Sequence, residues 1–319
     1  MRYALGALPS RLDRRDYSVA SFYPVGNVKT DIPPKVLLKT QNQGGVGACV
    51  AFGIEHQAAV HHVLEHGTEK RFDPNYIYGY RLDEHYQGEG MYPREAYQVM
   101  HRNGIADKGL LPWEGPVFYF GLKEHQKYYT PEVHSKAMYQ RVKSYFACMG
   151  EAEIDTALQH GPVGITIPIY QSFVDTPADG MLQIPDMSRE VFYGWHFVLI
   201  VGKRAGKWII QHWWGDWGDQ SMLGYCMAYM PVTYPIHEAW GVIDEELPRK
   251  KTSIHLFIGN PLAKVGDDWK KIDPTNDAVV PILHQARTYL PIRFIAENLG
   301  LKVEWEQSQG RVTLETDEQ

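Results

Sequence analysis

The sequence predicts an α+β protein, on three observations. Helical periodicity governs the first half, strand patterns govern the stretch that follows, and the two kinds of element are segregated rather than alternating. The chain has 319 residues, 44% of them hydrophobic and 22% charged. It exceeds the roughly 100–200 residues of a common single domain, so length alone leaves one large domain with a small appendage and two equal halves equally open.

Residues 1–40 read as irregular, with Ile32-Pro33-Pro34 breaking any helix. From Cys49 the pattern turns helical: Ala51, Ile54 and Ala58 share one face, and Gly67 is a stop. PREAYQVMHRNG (93–104) predicts a second helix ending at Asn-Gly, and EAEIDTALQHG (151–161) a third, closed by Gly161 before Pro162. VGITIPIY (163–170) alternates and is rich in β-branched residues, and HFVLIVG (196–202) is an apolar run of strand length. RAG (204–206) reads as a hairpin tip, with KWIIQHW (207–213) returning as the partner strand. ELPRKKT (246–252) has the Pro and clustered charge of a linker. Beyond it, IHLFIGN (254–260), a helical LPIRFIAENLG (290–300) and the strands KVEWE and RVTLE form a small α+β unit. Its size is marginal for an independent core. The expected domains are therefore 1–247 and 252–319.

Net charge is 32 − 38 = −6, which excludes a global basic field for nucleic acid. The basic runs RLDRR (11–15) and PRKK (248–251) are short and read as solvated surface and linker. No stretch approaches the roughly 18 apolar residues of a membrane helix. The start, MRYALGALPSRLDRRDY, lacks the apolar core of a secretory signal. Three cysteines make no disulfide framework, although pairing of Cys148 with Cys226 stays open.

Chemistry gathers at Cys49. A thiol must ionise to attack, and a helix start offers partial positive charge. Glycines 44, 45 and 47 keep the approach open to a substrate backbone. Gln43 carries a side-chain NH₂ that, with the Cys49 backbone N–H, can hold an oxyanion. His196 is the candidate base: it opens a buried strand, and the partner strand ends at Gln211-His212, either of which could orient it, beside tryptophans that exclude water. His62 and His66 have the i, i+4 spacing that suits a metal, but no carboxylate or cysteine completes a set in the local sequence, so no metal or other cofactor is expected.

These residues carry a resemblance. QGGVGACVAF resembles the Gln-Gly-x-Cys-Gly-Ser-Cys-Trp-Ala-Phe signature of papain-like cysteine peptidases. WHFVLIVGK, HWWGDWG and LQHGPVGITIPIYQSF (158–173) are similar to that family's histidine strand, its Asn-Ser-Trp-Gly block and its Gly-Pro-Val strand, in the family's order. The likeness spans roughly residues 13–245. It implies a two-lobed fold, with a helical left lobe and an antiparallel, barrel-like right lobe. It also implies cysteine endopeptidase activity through a thiolate–imidazolium pair and an acyl-enzyme, acting on a peptide or protein. Val46 and Val50 depart from the signature's first cysteine and its tryptophan. Counting from His196 along the hairpin puts His212 at the family's Asn position; counting back from Trp217-Gly218 puts Gln211 there. The tight hairpin favours His212, with Gln211 as the alternative. The implied catalytic set is Cys49, His196, His212 and Gln43. Gly88, Gly90, Trp195 and Trp214 are the implied substrate-binding residues. No long helical leader stands before Gln43, so restraint, if any, is expected from the N-terminal arm or the C-terminal unit.

The tail, with RTYLPIRFIAENLG and Val-Glu-Trp, resembles the copper amine oxidase N-terminal-like or stalk domain. Leu290, Phe294 and Leu299 are expected to form a helix face covered by Val303, Trp305, Val312 and Leu314. His284 stands alone, so no copper is expected. The resemblance implies attachment or assembly through residues 252–319 and the company of secreted or surface proteins of Gram-positive-type bacteria; with no secretory signal in view, the expectation that reconciles the two is a bacterial or phage-encoded protein, cytoplasmic or non-classically released. Two rival functions share the features at Cys49: an inactive papain-like scaffold that binds a protein or cell-wall partner, and a transglutaminase-type acyl transferase.

Overall fold

The computed structural model describes residues 4–11, 13, 16–81, 89–112, 127–244, 254–265, 268–299 and 301–316. The chain divides into two compact units, Met1–Glu245 and Glu246–Gln319.

In the first unit the helices are α1 Cys49–His66, α2 Pro74–Tyr78, α3 Pro93–Asn103, α4 Pro131–Ala137, α5 Gly150–Leu158 and α6 Gln171–Val174. Gly67 ends α1 in the left-handed conformation, its N–H bonding to Val63 O. α2, α3 and α4 each start on a proline, where the missing N–H is not needed. α5 stops at Leu158, short of the expected Gly161, because Pro162 cannot continue it and the last carbonyls are taken up by a tight turn.

Six strands follow: β1 Val142–Ala147, β2 Val163–Tyr170, β3 Phe192–Arg204, β4 Lys207–Gln211, β5 Met227–Pro231 and β6 Glu238–Asp244. They form one antiparallel sheet in the order β1-β6-β2-β3-β4-β5. The hairpin tip between β3 and β4 is Ala205-Gly206, with φ of 47° and 69°, the paired left-handed conformation whose twist matches the strands. The expected barrel-like closure does not occur. Among the described residues, edges β1 and β5 do not pair with each other; each meets an irregular segment through an isolated bridge, Ser18–Ala147 on β1 and Met181–Tyr229 on β5.

Both faces of this sheet are covered, and strand parity sorts the residues. Phe197, Leu199, Val201 and Ile209 join the core around α1. Val198, Ile200, Trp208 and Ile210 join the core on the opposite face. α1 is not the one-sided helix its spacing predicts: every residue from Cys49 to His61 is buried. Its polar side chains are therefore matched inside. Glu55 bonds the Arg71 guanidinium and the Phe72 N–H, and Gln57 donates to Pro162 O and accepts from the Tyr97 hydroxyl. Gly53 and Gly164 let Phe197 wedge between α1 and β2: a Cβ on either would stand 2.4 or 2.3 Å from its ring. That wedge sets the spacing between the helix that starts at Cys49 and the strand that carries His196.

The second unit holds a three-stranded sheet, β7 Ile254–Leu256, β8 Leu262–Val265 and β9 Asp268–Lys271; a hairpin, β10 Ile282–His284 with β11 Arg287–Tyr289; helix α7 Ile292–Asn298; and a second hairpin, β12 Leu301–Glu306 with β13 Arg311–Thr316. Its core is Ala263, Val265, Ile272 and Phe294. The expected packing is corrected here. Phe294 is buried, but Leu290, Leu299, Trp305, Val312 and Leu314 are exposed. β12 and β13 pair Val303 with Leu314 and Trp305 with Val312, spending their backbone on each other and leaving that row uncovered.

Candidate active site

The approach to α1 is built by backbone chemistry. The Asn42 side chain accepts the Gly44 N–H at 2.8 Å, and Gly44 takes φ 60°. The Gln43 N–H bonds Trp213 O at 2.9 Å, tying this loop to the exit of β4. The helix cap is Ala48, which has no side chain to accept the first amides of α1. The Cys49 sulfur lies at that open end. The backbone N–H groups of Phe197, Val50, Cys49 itself and Ala7 act on it, favouring the thiolate. Burial outweighs them and pushes the thiol up to about 12.

His196 is fully buried, and its Nε2 lies 3.3 Å from His212 Nδ1. Its Nδ1 is buried and has no hydrogen-bond partner among the described residues. Burial alone drives the imidazole down to about 3, and burial plus His196 drives His212 down as well. The rings of Trp214 and Trp217 lie 4.9 and 4.2 Å from His212, and Trp214 lies 4.7 Å from His196. Burial thus disfavours the thiolate and both imidazolium forms.

The two residues at the strand exit go opposite ways, as parity requires. His212 faces His196. The Gln211 amide donates to Leu38 O and Tyr225 O, and its Oε1 lies 3.2 Å from His56 Nε2, on the α1 side. Gln211 is therefore not the partner of His196, and its position as the alternative is corrected.

The Gln43 side chain donates to Val46 O at 2.8 Å and to Ala4 O at 3.2 Å. Trp214 Nε1 also donates to Ala4 O, at 2.9 Å. The Trp195 carbonyl accepts the N–H groups of Gly6 and Ala7, and Met91 exchanges bonds with Gly6 O and Leu8 N–H in a parallel bridge centred on Ala7. A Cβ on Gly90 would meet Gly6 O at 3.0 Å. Residues 4–8 thus run along Gln43, Cys49, Gly90, Trp195 and Trp214. Gly88 lies outside the described residues. Nothing in the pattern of ALGALP announces this placement. The Met91 backbone and the Gly53 wedge were also invisible, since each acts through backbone or through a missing side chain.

Cys49, Cys148 and Cys226 are all free and buried, so Cys148 and Cys226 do not pair. His62 and His66 have rings 4.3 Å apart on α1, and among the described residues no group of three or more His, Cys, Asp or Glu converges. Among the described residues no helix is long and apolar enough to cross a membrane.

Comparison with known proteins separates the two units. The copper amine oxidase N-terminal domain family matches residues 271–319. No curated protein matches the chain. Among solved structures, xylellain, a cysteine protease from Xylella fastidiosa, is similar at a TM-score of 0.64 and 17% identity, over 76% of this chain and 97% of its own. The cysteine protease and lectin-like domains of Cwp84, a surface layer associated protein of Clostridium difficile, give 0.58 and 10%, over 79% of this chain and 58% of that one. Procathepsin B S9 from Trypanosoma congolense gives 0.56 and 13%, over 76% and 87%. At these identities the likeness establishes the fold: most of the chain is folded as a papain-like cysteine protease.

Proposed function

We propose that this papain-like fold works as a cysteine endopeptidase on peptide or protein substrates. The observation that carries the reading is the pairing of His196 Nε2 with His212 Nδ1, which leaves His196 Nδ1 without a partner among the described residues, one residue before Phe197, whose backbone N–H acts on the Cys49 sulfur. His212 Nδ1 accepts the Nε2–H of His196, so the lone pair on Nδ1 is available as a base. That nitrogen takes the Cys49 proton, and the thiolate attacks the scissile carbonyl carbon. Gln43 Nε2 and the Cys49 N–H receive the developing oxyanion. Nδ1–H then protonates the leaving amine, and a thioester to Cys49 remains. Water, deprotonated by Nδ1, attacks the thioester and regenerates the thiol. Gly90, Trp195 and Trp214 bind the substrate backbone, and residues 252–319 serve attachment or assembly.

Prolonged incubation of the full chain with a peptidyl epoxide tests this. One equivalent is expected on Cys49, and His196→Ala should abolish it. Labelling of Cys49 at the same rate in His196→Ala would defeat the reading. A second reading, an inert scaffold that binds a partner, is favoured by one observation: Cys49 and His196 are both fully buried, which disfavours the charged form of each. Under it, the epoxide reacts no faster at Cys49 than at an ordinary buried thiol.

A further inference from the structure

The hairpin β12–β13 sorts its residues into two rows. The register pairs Leu301 with Thr316, Val303 with Leu314 and Trp305 with Val312 on one face. Lys302 with Glu315, Glu304 with Thr313 and Glu306 with Arg311 make up the other. The apolar row is open: Trp305, Val312 and Leu314 keep 53, 45 and 43% of their surface exposed. Helix α7 packs against β12, but among the described residues β13 pairs with β12 alone. The outer edge of β13 therefore offers backbone N–H and C=O groups that no strand uses. That edge lacks the usual guards. It runs from Arg311 to Thr316 without a proline, a bulge or a charge in its apolar row. Its sequence over 311–315, Arg-Val-Thr-Leu-Glu, is complementary to itself about Thr313: a cation and an anion at the ends, an aliphatic residue on each side of a hydroxyl. Both charges have capacity left. Glu315 makes no salt bridge among the described residues, and Arg311 bonds Glu306 at 2.6 Å through Nη2, so its fork has donors to spare.

We propose that β13 is a dimerisation edge: two copies of this chain pair antiparallel along Arg311–Glu315, centred on Thr313. In that register Arg311 stands opposite the partner's Glu315, twice by symmetry. Val312 stands opposite the partner's Leu314, on the apolar row, and Thr313 opposite its own copy. The alternatives are worse. A parallel alignment sets Arg311 beside Arg311 and Glu315 beside Glu315, like charges in register. A slip of one residue lays the apolar row of one copy beside the polar row of the other. The product is a four-stranded sheet in the order β12-β13-β13-β12, whose apolar row is continuous across the twofold axis. Two strands alone are marginal in water, and four with an apolar face are not. The contact is isologous, so it uses up both β13 edges and does not propagate. It deepens the assembly role proposed for residues 252–319 and does not depend on the endopeptidase reading.

Sedimentation equilibrium of the full chain tests this. A monomer–dimer equilibrium is expected, with the dimer dominant by about 100 µM. Arg311→Glu and Glu315→Arg each set like charges opposite at two positions and should weaken dimerisation by about fivefold or more. The double reversal restores opposite charges and should return Kd to within about twofold of the parent. Thr313→Cys should give a disulfide-linked dimer on oxidation with copper-phenanthroline, mapped by peptides to residue 313. Arg311→Cys should not link to itself, because its two copies stand four residues apart along the strands, about 13 Å. A chain that stays monomeric at about 100 µM overturns the proposal. So does a dimer that both single reversals leave undiminished, or one in which residue 311 self-links and residue 313 does not. Should a charge variant fail to fold, the link at residue 313 decides. A dimer that meets these tests but cleaves no peptide upholds the pairing and defeats the endopeptidase. A monomeric chain that cleaves peptides does the reverse.

Discussion

Two buried imidazoles flank the same hairpin and look alike on every local measure. His56 and His196 are both fully buried, both pair through Nε2, at 3.2 and 3.3 Å, and both have no partner on Nδ1 among the described residues. Burial drives both down to about 3. They differ in what pairs with them and what covers them. His56 meets Gln211, an amide that cannot titrate, inside the core around α1. His196 meets His212, which can, under an arm held by a handful of backbone bonds. A strongly shifted histidine therefore does not mark a site by itself; a proton-exchanging partner does.

The largest expected effect separates the pair outright. His196→Ala should lower kcat/KM on a peptide substrate by a factor of about 10³ or more. His56→Ala should act on stability alone, losing about 2 kcal/mol through an emptied core site and an unpaired Gln211, with kcat/KM within a few fold. Comparable losses of kcat/KM from both would erase the distinction.

Next in size is Gly53→Val. Its side chain must enter space held by the Phe197 ring, 2.4 Å from a Cβ there, so overpacking of about 1–3 kcal/mol is expected in urea unfolding. Cys49 labelling should lose its dependence on His196, because α1 is forced off β3. Retained dependence would mean that the wedge does not set their spacing.

A pH experiment follows. Both imidazoles sit at about 3 when folded and near 6.5 when unfolded, so between those limits the unfolded chain binds more protons. Stability is then full above about 6.5 and falls as pH drops toward 3, by roughly 1 kcal/mol per pH unit for each histidine. His56→Asn should shallow that slope by about one histidine's share, read from chemical unfolding at pH 7, 6 and 5. An unchanged slope would deny that His56 is held neutral.

The smallest effect is the most specific. Protonated His212 carries N–H on Nδ1 and can no longer accept from His196 Nε2. The acid limb of kcat/KM should thus move to lower pH in His212→Asn relative to the parent chain, with the plateau within about tenfold. An acid limb that stays in place would assign it to His196 alone.

Much of this was legible in the residues. A glycine cluster meeting a helical run located Cys49, and a polar residue opening a buried strand located His196. The order of a strand, the tip RAG (204–206) and a return strand put Gln211 and His212 beside it, but not which of them faced His196; the structure shortens the tip to Ala205-Gly206. That depends on the register of the hairpin exit, which a gapless count leaves one residue ambiguous. The open sheet was hidden because closure is decided by edges whose bridges, Ser18–Ala147 and Met181–Tyr229, come from irregular segments. The arm was hidden for a related reason: it binds through backbone. α1 misled because a helix buried all round needs no apolar stripe, only partners for Glu55, His56 and Gln57. In the tail, alternation at Val303, Trp305, Val312 and Leu314 foretold strands correctly and their cover wrongly, since alternation identifies a face without saying what lies on it.

The bond from Gln43 N–H to Trp213 O joins the nucleophile's loop to the imidazole's hairpin at the root of the cleft. It acts as a pin through both walls. Widening the mouth to admit a chain then tilts the walls about that pin rather than drawing them apart. The floor keeps its width while the rim swings.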